Sequence, residues 1–152
     1  MGDNHKSHFV LTDKVVKETK EGIQSHSFSK QELSHKSKFG GYVYELLKED
    51  KSRVYLYSDN GGEAGSTKLE CYYNKGQPIF AVYKKYVFDH DDDSGKPVLT
   101  FEQLSYITEN RVQDKTIIKQ VKNELWSEKD IPSDTELMNF IKILDLELAE
   151  EK

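Results

Sequence analysis

One cysteine, three prolines and one tryptophan are all that this chain of 152 residues has of those types. With a single thiol, Cys71, it closes no internal disulfide and builds no cysteine zinc site. Its place between Glu70 and Tyr72, inside a strand pattern, predicts a buried, inert side chain. No apolar run approaches the roughly 20 residues of a membrane-spanning helix, and no signal peptide is read at the start. Positive charge is not in excess either. A net charge of −5 gives no global pull toward nucleic acid or an anionic membrane. No Gly-x-Ser-x-Gly turn and no phosphate-binding glycine loop occurs. Apolar residues reach only 36% against 32% charged, so the core is expected to be small and aromatic-rich.

What the chain does have is tyrosine. Eight of its nine tyrosines fall between Gly40 and Phe88, at 42, 44, 55, 57, 72, 73, 83 and 86, in short runs separated by turn formers. From Gly41 the period is two: Val43, Glu45 and Leu47 oppose Tyr42, Tyr44 and Leu46. Arg53–Asp59 repeats the pattern, and Asp59-Asn60-Gly61-Gly62 turns it. In Thr67–Asn74, Leu69, Cys71 and Tyr73 oppose Lys68, Glu70 and Tyr72. Asn74-Lys75-Gly76 then leads into Pro78–Phe88, apolar on both sides and so expected to be central and covered twice. Val98–Ile107 is a further strand. Its turn at Thr108–Arg111 has Asn110 for the left-handed position.

The flanks carry helical signals. Thr12 or Asp13 can cap a short helix over Val15, Val16 and Glu18, although the same residues also suit a strand. Residues 22–39 hold a capping-box spacing at Ser29 and Glu32, or else an edge strand blunted by lysine and serine. Asp114 is placed to cap a helix with Ile118, Val121 and Leu125 on one stripe, ending at Trp126. Ser133 and Glu136 open the clearest helix, in which Leu137, Phe140, Ile141, Leu144 and Leu148 share a face. Its acidic end, 147–152, is expected to fray. Residues 1–40 carry seven lysines against five acids and 127–152 three against eight, so the two ends can attract each other. The fold expected is a single α+β domain over 9–150 behind a disordered N-terminus, 1–8. It is an antiparallel β-meander of about five or six strands packed by C-terminal helices.

The segment Leu69-Glu70-Cys71-Tyr72-Tyr73-Asn74-Lys75-Gly76-Gln77-Pro78-Ile79-Phe80 resembles the hairpin of MORN-type repeats, with a Tyr-Tyr pair, a polar turn with glycine and a return strand. Phe101–Val112, with Tyr106 and Asn110, echoes it, as does Arg53–Gly61. The copies are unequally spaced, unlike a true repeat array. The whole is similar to small sheet-rich lipoproteins of bacterial envelopes, and no catalytic residue comes with that likeness. The start Met1-Gly2-Asp3-Asn4-His5-Lys6 resembles a mature lipoprotein terminus with Met1 in place of the acylated cysteine. A plain cytoplasmic start fits the same residues.

Few residues point to chemistry. Asp89, Asp91 and Asp93 alternate like the first ligands of a calcium-binding EF-hand loop, but Ser94 stands at the glycine position and Thr100 at that of the bidentate glutamate. A solvated loop explains the same acids. Of the histidines His5, His8, His26, His35 and His90, His5 and His8 are spaced for one turn of helix but fall in a terminus not expected to hold geometry, and the others lie in polar stretches. The tyrosines allow a surface role, because the ring buries area while the hydroxyl stays wet. Tyr42, Tyr44, Tyr55, Tyr57, Tyr72 and Tyr86 can form an aromatic face for a protein, a peptide or a saccharide, unless a helix covers them. Lys68, Lys84 and Lys85 bring single-stranded nucleic acid to mind, against which the net acidity speaks. The expected function is a non-catalytic binding module, free or envelope-tethered. A small-ligand carrier with a pocket between sheet and C-terminal helix comes next. An enzyme with no recognisable motif is third.

Overall fold

A computed structural model describes residues 2–61, 65–88, 95–119 and 127–151, with side chains from Phe9 onward. Among these, seven strands pair in chain order into one antiparallel sheet. They are Ser29–Glu32 (β1), Tyr42–Leu47 (β2), Arg53–Asp59 (β3), Gly65–Asn74 (β4), Gln77–Val87 (β5), Val98–Thr108 (β6) and Arg111–Lys119 (β7). The helices Gly2–Gln24 (α1) and Asp134–Glu150 (α2) pack on opposite faces.

The alternation read from the sequence is the one the sheet uses, except at Val54, which joins the Tyr55 side rather than that of Leu56 where the β2–β3 register shifts between Leu46 and Leu47. On one face Val43, Leu56, Leu69, Cys71, Tyr73, Ala81 and Ile107 meet Leu137, Ile141, Leu144 and Leu148 of α2. On the other, Leu46, Val54, Tyr55, Tyr72, Phe80 and Val82 meet Val16 of α1. Two-residue turns join β4 to β5 and β6 to β7. Lys75 and Gly76 have φ of 53° and 78°, Glu109 and Asn110 of 53° and 61°. Left-handed values at both central residues are those of a type I′ turn, whose twist matches the strands it joins.

Three expectations change. The sheet has seven strands where five or six are expected, because both flanks contribute one. β1 takes the edge-strand option open for 22–39, and its Lys30 and Ser29 stand where edge strands carry polar side chains. The helix expected from Asp114 is β7. Val112, Thr116, Ile117 and Ile118 are β-branched, and the tight turn at 109–110 returns them directly onto β6. Val121, Leu125 and Trp126 lie outside the described residues. Among the described residues, packing "by C-terminal helices" therefore becomes packing by α1 on one face and α2 on the other.

α1 settles the open choice for Val15 and Val16 as helix, and Thr12 and Asp13 lie inside it. Its backbone begins at Gly2, within the stretch 1–8 read as a disordered terminus. Phe9, Val16 and Ile23, two turns apart, form its inner line. Gly22 lets it rest on Phe28: a Cβ there would stand 2.5 Å from that ring. His26, at φ 56°, ends the helix in the left-handed conformation.

α2 starts as expected. The Ser133 hydroxyl accepts the Glu136 N–H at 3.1 Å, and the Glu136 carboxylate accepts the Ser133 N–H at 3.2 Å. Its end is not loose. Glu147 accepts the Ser37 hydroxyl at 2.8 Å and the Lys38 N–H at 3.1 Å. Glu151 accepts the Ser34 N–H at 2.9 Å and pairs with His35 Nδ1 at 2.7 Å. The acidic end thus grips the lysine-rich N-terminal part through hydroxyls, amides and an imidazole rather than ammonium groups.

Candidate functional site

The tyrosine face is one side of β2–β5, and its strand registers set it out in rows. Leu46, Tyr55, Tyr72, Phe80 and Tyr106 form a row through paired positions. α1 lies along it. Val16 packs there, Phe9 stacks on Tyr106 at 4.1 Å between centroids, and the Tyr106 hydroxyl donates to Asp13 at 2.6 Å. The next row, Tyr44, Tyr57, Glu70, Val82 and Leu104, and the one beyond it, Tyr42, Asp59, Lys68, Lys84 and Glu102, lie progressively farther from the helix.

Burial follows that distance. Tyr55 and Tyr72 are 4% and 2% exposed, whereas Tyr42 is 41% exposed. Tyr44, Tyr57 and Tyr86 are half-buried. Of the six tyrosines expected to form a platform, α1 therefore takes two into the core and leaves four with access to solvent. The four are not loose side chains. Tyr44 sits 5.4 Å from Tyr42 and 5.2 Å from Tyr57 between ring centroids. Through Tyr55, 6.2 Å from Tyr44, the set is continuous with the core.

Cations already rest on these rings. Lys30 Nζ stands 4.5 Å from the Tyr44 centroid and 5.2 Å from that of Tyr42, and Lys68 Nζ 5.0 Å from that of Tyr86. The ring quadrupole attracts them. The Tyr42 hydroxyl donates to Glu32 at 2.7 Å, which holds that carboxyl below its ordinary range. Burial raises Tyr44, and burial with the nearby Asp59 charge pushes Tyr57 up to about 12. Burial, then the Glu70 charge, holds Tyr55 and Tyr72 well above the phenol range, and Tyr55 donates to Glu70 at 2.7 Å. Tyr44, Tyr55, Tyr57 and Tyr72 are thereby held in the protonated form, able to donate a hydrogen bond.

A second polar constellation lies on the α2 side. Arg53 Nε donates to Glu45 at 2.9 Å, its NH1 nitrogen to Asp145, and the Tyr73 hydroxyl reaches the same Asp145 oxygen at 2.5 Å. Glu45 is fully buried, and the guanidinium lies 5.2 Å from the Tyr73 centroid. Burial raises both Asp145 and Tyr73. The group ties α2 to β2, β3 and β4. Cys71, fully buried beside it, has its thiol pushed up by burial, as expected of an inert side chain.

Asp89, Asp91 and Asp93 lie outside the described residues. Among the described ones, no three His, Cys, Asp or Glu residues gather as a metal would need. Among them too, no helix is long and apolar enough to cross a membrane. Sequence reading missed Lys30 and Glu32 as neighbours of Tyr42; their signal was the lysine-bearing edge strand. It expected a pocket between sheet and C-terminal helix but not the hairpin-tip residues of two adjoining grooves, of about 540 and 500 Å³, beside α2. No family model, curated protein or solved structure matches the chain.

Proposed function

We propose that this chain is a non-catalytic interaction module that binds a protein or peptide partner through the uncovered part of its tyrosine face. The observation carrying this reading is the division made by α1: Tyr55 and Tyr72 are core, while Tyr42, Tyr44, Tyr57 and Tyr86 border solvent. Rings already fixed by packing lose little side-chain freedom on binding, which favours them as contact residues. The lysines on them give the patch a polar rim. The small-ligand carrier draws support from the grooves beside α2, but these are open troughs rather than an enclosed chamber. Tethering to an envelope rests on Met1–Lys6 alone, and the intact mass of native protein from membrane and soluble fractions tests it.

The binding reading is tested by placing a photoreactive benzoylphenylalanine at Tyr42, at Tyr57 or at Glu49 in the exposed β2–β3 turn, in the cells of origin. A discrete protein adduct from positions 42 and 57, absent from 49, is expected. No adduct, or the same adducts from all three positions, overturns the reading.

A further inference from the structure

We propose that the trough between α2 and the two hairpin tips is a binding site for an extended acidic peptide segment, independent of the tyrosine face. The two grooves share Asn110, Met138 and Asn139, so they run on as one. One wall is the exposed stripe Thr135, Asn139, Lys142 and Leu146 of α2, spaced for one face of a helix. The other is formed by the turns at 76–78 and 110–113. From Thr135 to Leu146 the stripe is about 16 Å long at 1.5 Å per residue. That length matches about five residues of extended chain at ~3.3 Å each.

Two features select the ligand. The first is the carboxamides: Asn110, Asn139 and Gln77 border the trough and make no side-chain hydrogen bond among the described residues. A carboxamide offers both donor and acceptor, the complement of a peptide unit, and does not favour either charge. The second is charge. Both acids of the trough are already committed, Asp134 to Lys115 at 3.1 Å and Asp145 to Arg53 and Tyr73. Both cations, Arg111 and Lys142, have no acidic partner among the described residues. The acids being paired, the unpaired charges left in the trough among the described residues are Arg111 and Lys142, both positive although the chain is acidic. Met138 on its floor and Leu146, 55% exposed at one end, supply apolar contacts between the cations. A segment alternating acidic and aliphatic residues satisfies all three demands.

The probe is a fluorescein-labelled, end-blocked hexapeptide of alternating Glu and Leu, followed by anisotropy, with the Lys–Leu counterpart as control. The Glu–Leu peptide is expected to bind at least tenfold more tightly, and its affinity to fall as salt rises. Arg111→Glu with Lys142→Glu should abolish that preference. Asn139→Ala should weaken binding without changing the salt dependence. Each of these residues is exposed, and melting curves of the variants should match the parent's. Tyr42→Ala should leave the peptide affinity unchanged, which separates this site from the tyrosine face. Equal binding of both peptides, binding of neither, or an unaltered preference in the double charge reversal overturns the proposal.

Discussion

Truncating Tyr72 and truncating Tyr42 should have opposite consequences, although sequence reading places both in one aromatic face. Tyr72 is 2% exposed, packed at 5.2 Å from Tyr55 and 6.1 Å from Phe80 between ring centroids, with Val16 of α1 in the same cluster. Removing a ring from such a site loses its transfer free energy and leaves a cavity, costing about 3–5 kcal/mol. For a chain of this length each kcal/mol lowers Tm by ~2–4 °C, so Tyr72→Ala should melt about 6–20 °C below the parent. Tyr55→Ala should behave likewise, and it also deprives Glu70 of the phenol it accepts at 2.7 Å. Tyr42, 41% exposed, gives up one surface hydrogen bond and a lysine contact, so Tyr42→Ala should cost no more than about 1 kcal/mol. Tyr72→Phe keeps the ring and should stay near the parent. Thermal unfolding followed by circular dichroism decides the matter. A Tyr72→Ala protein melting within ~2 °C of the parent would mean that α1 does not rest on this ring, and the division of the face would fall with it.

Arg53→Ala should destabilise by about 3–5 kcal/mol, because it strands the buried Glu45 beside Asp145; urea titration measures it, and a loss below ~1 kcal/mol, typical of a surface pair, refutes the buried network. Ser58→Ala should be neutral or stabilising by up to about 1 kcal/mol, since the Ser58 hydroxyl is buried with no hydrogen-bond partner among the described residues; a clear loss in the same titration would reveal an unrecognised bond. The Tyr57 phenol, at about 12 in the fold, contributes stability fully present below the ordinary value of 10.0 and lost as pH climbs through about 12. The phenolate difference spectrum between the parent and Tyr57→Phe should therefore have its midpoint near the upper value, and a midpoint at the lower one contradicts burial against the sheet.

The meander from Tyr42 to Ile107 was legible because its signals are local: a period of two, and turns written in Asn, Lys and Gly. The cap and apolar stripe of α2 are equally local. β7 was misread because Ile118 has helical spacing to Val121 and Leu125, which lie outside the described residues. The opposing information, a tight turn at 109–110 aiming the chain back onto β6, is tertiary. Burial of Tyr55 and Tyr72 was illegible for a related reason. Alternation tells which side of a strand a residue points to, not what lies over that side. Only the placement of α1 separates Tyr72 from Tyr42. The trough beside α2 is assembled from Gly76, Asn110 and Asn139, residues far apart in the chain, and no spacing announces it.

The strand order, running from β1 to β7 without a crossover, also bears on how the molecule assembles. Every ladder joins segments adjacent in sequence, so each closes a short loop and loses little chain entropy. Antiparallel sheets generally fold slowly because their pairings are distant, and this one avoids that delay. Two-residue turns at 75–76 and 109–110 give the longest strands, β4 to β6, ready points of initiation. α1 precedes every strand during synthesis and can settle as its rings arrive. α2 comes last, and its bond from Asp145 to Arg53 spans 92 positions. The long-range steps are thus the two helix dockings, α1 onto Tyr106 across 93 positions and α2 onto Arg53 across 92, both made onto a sheet whose strands can already be paired.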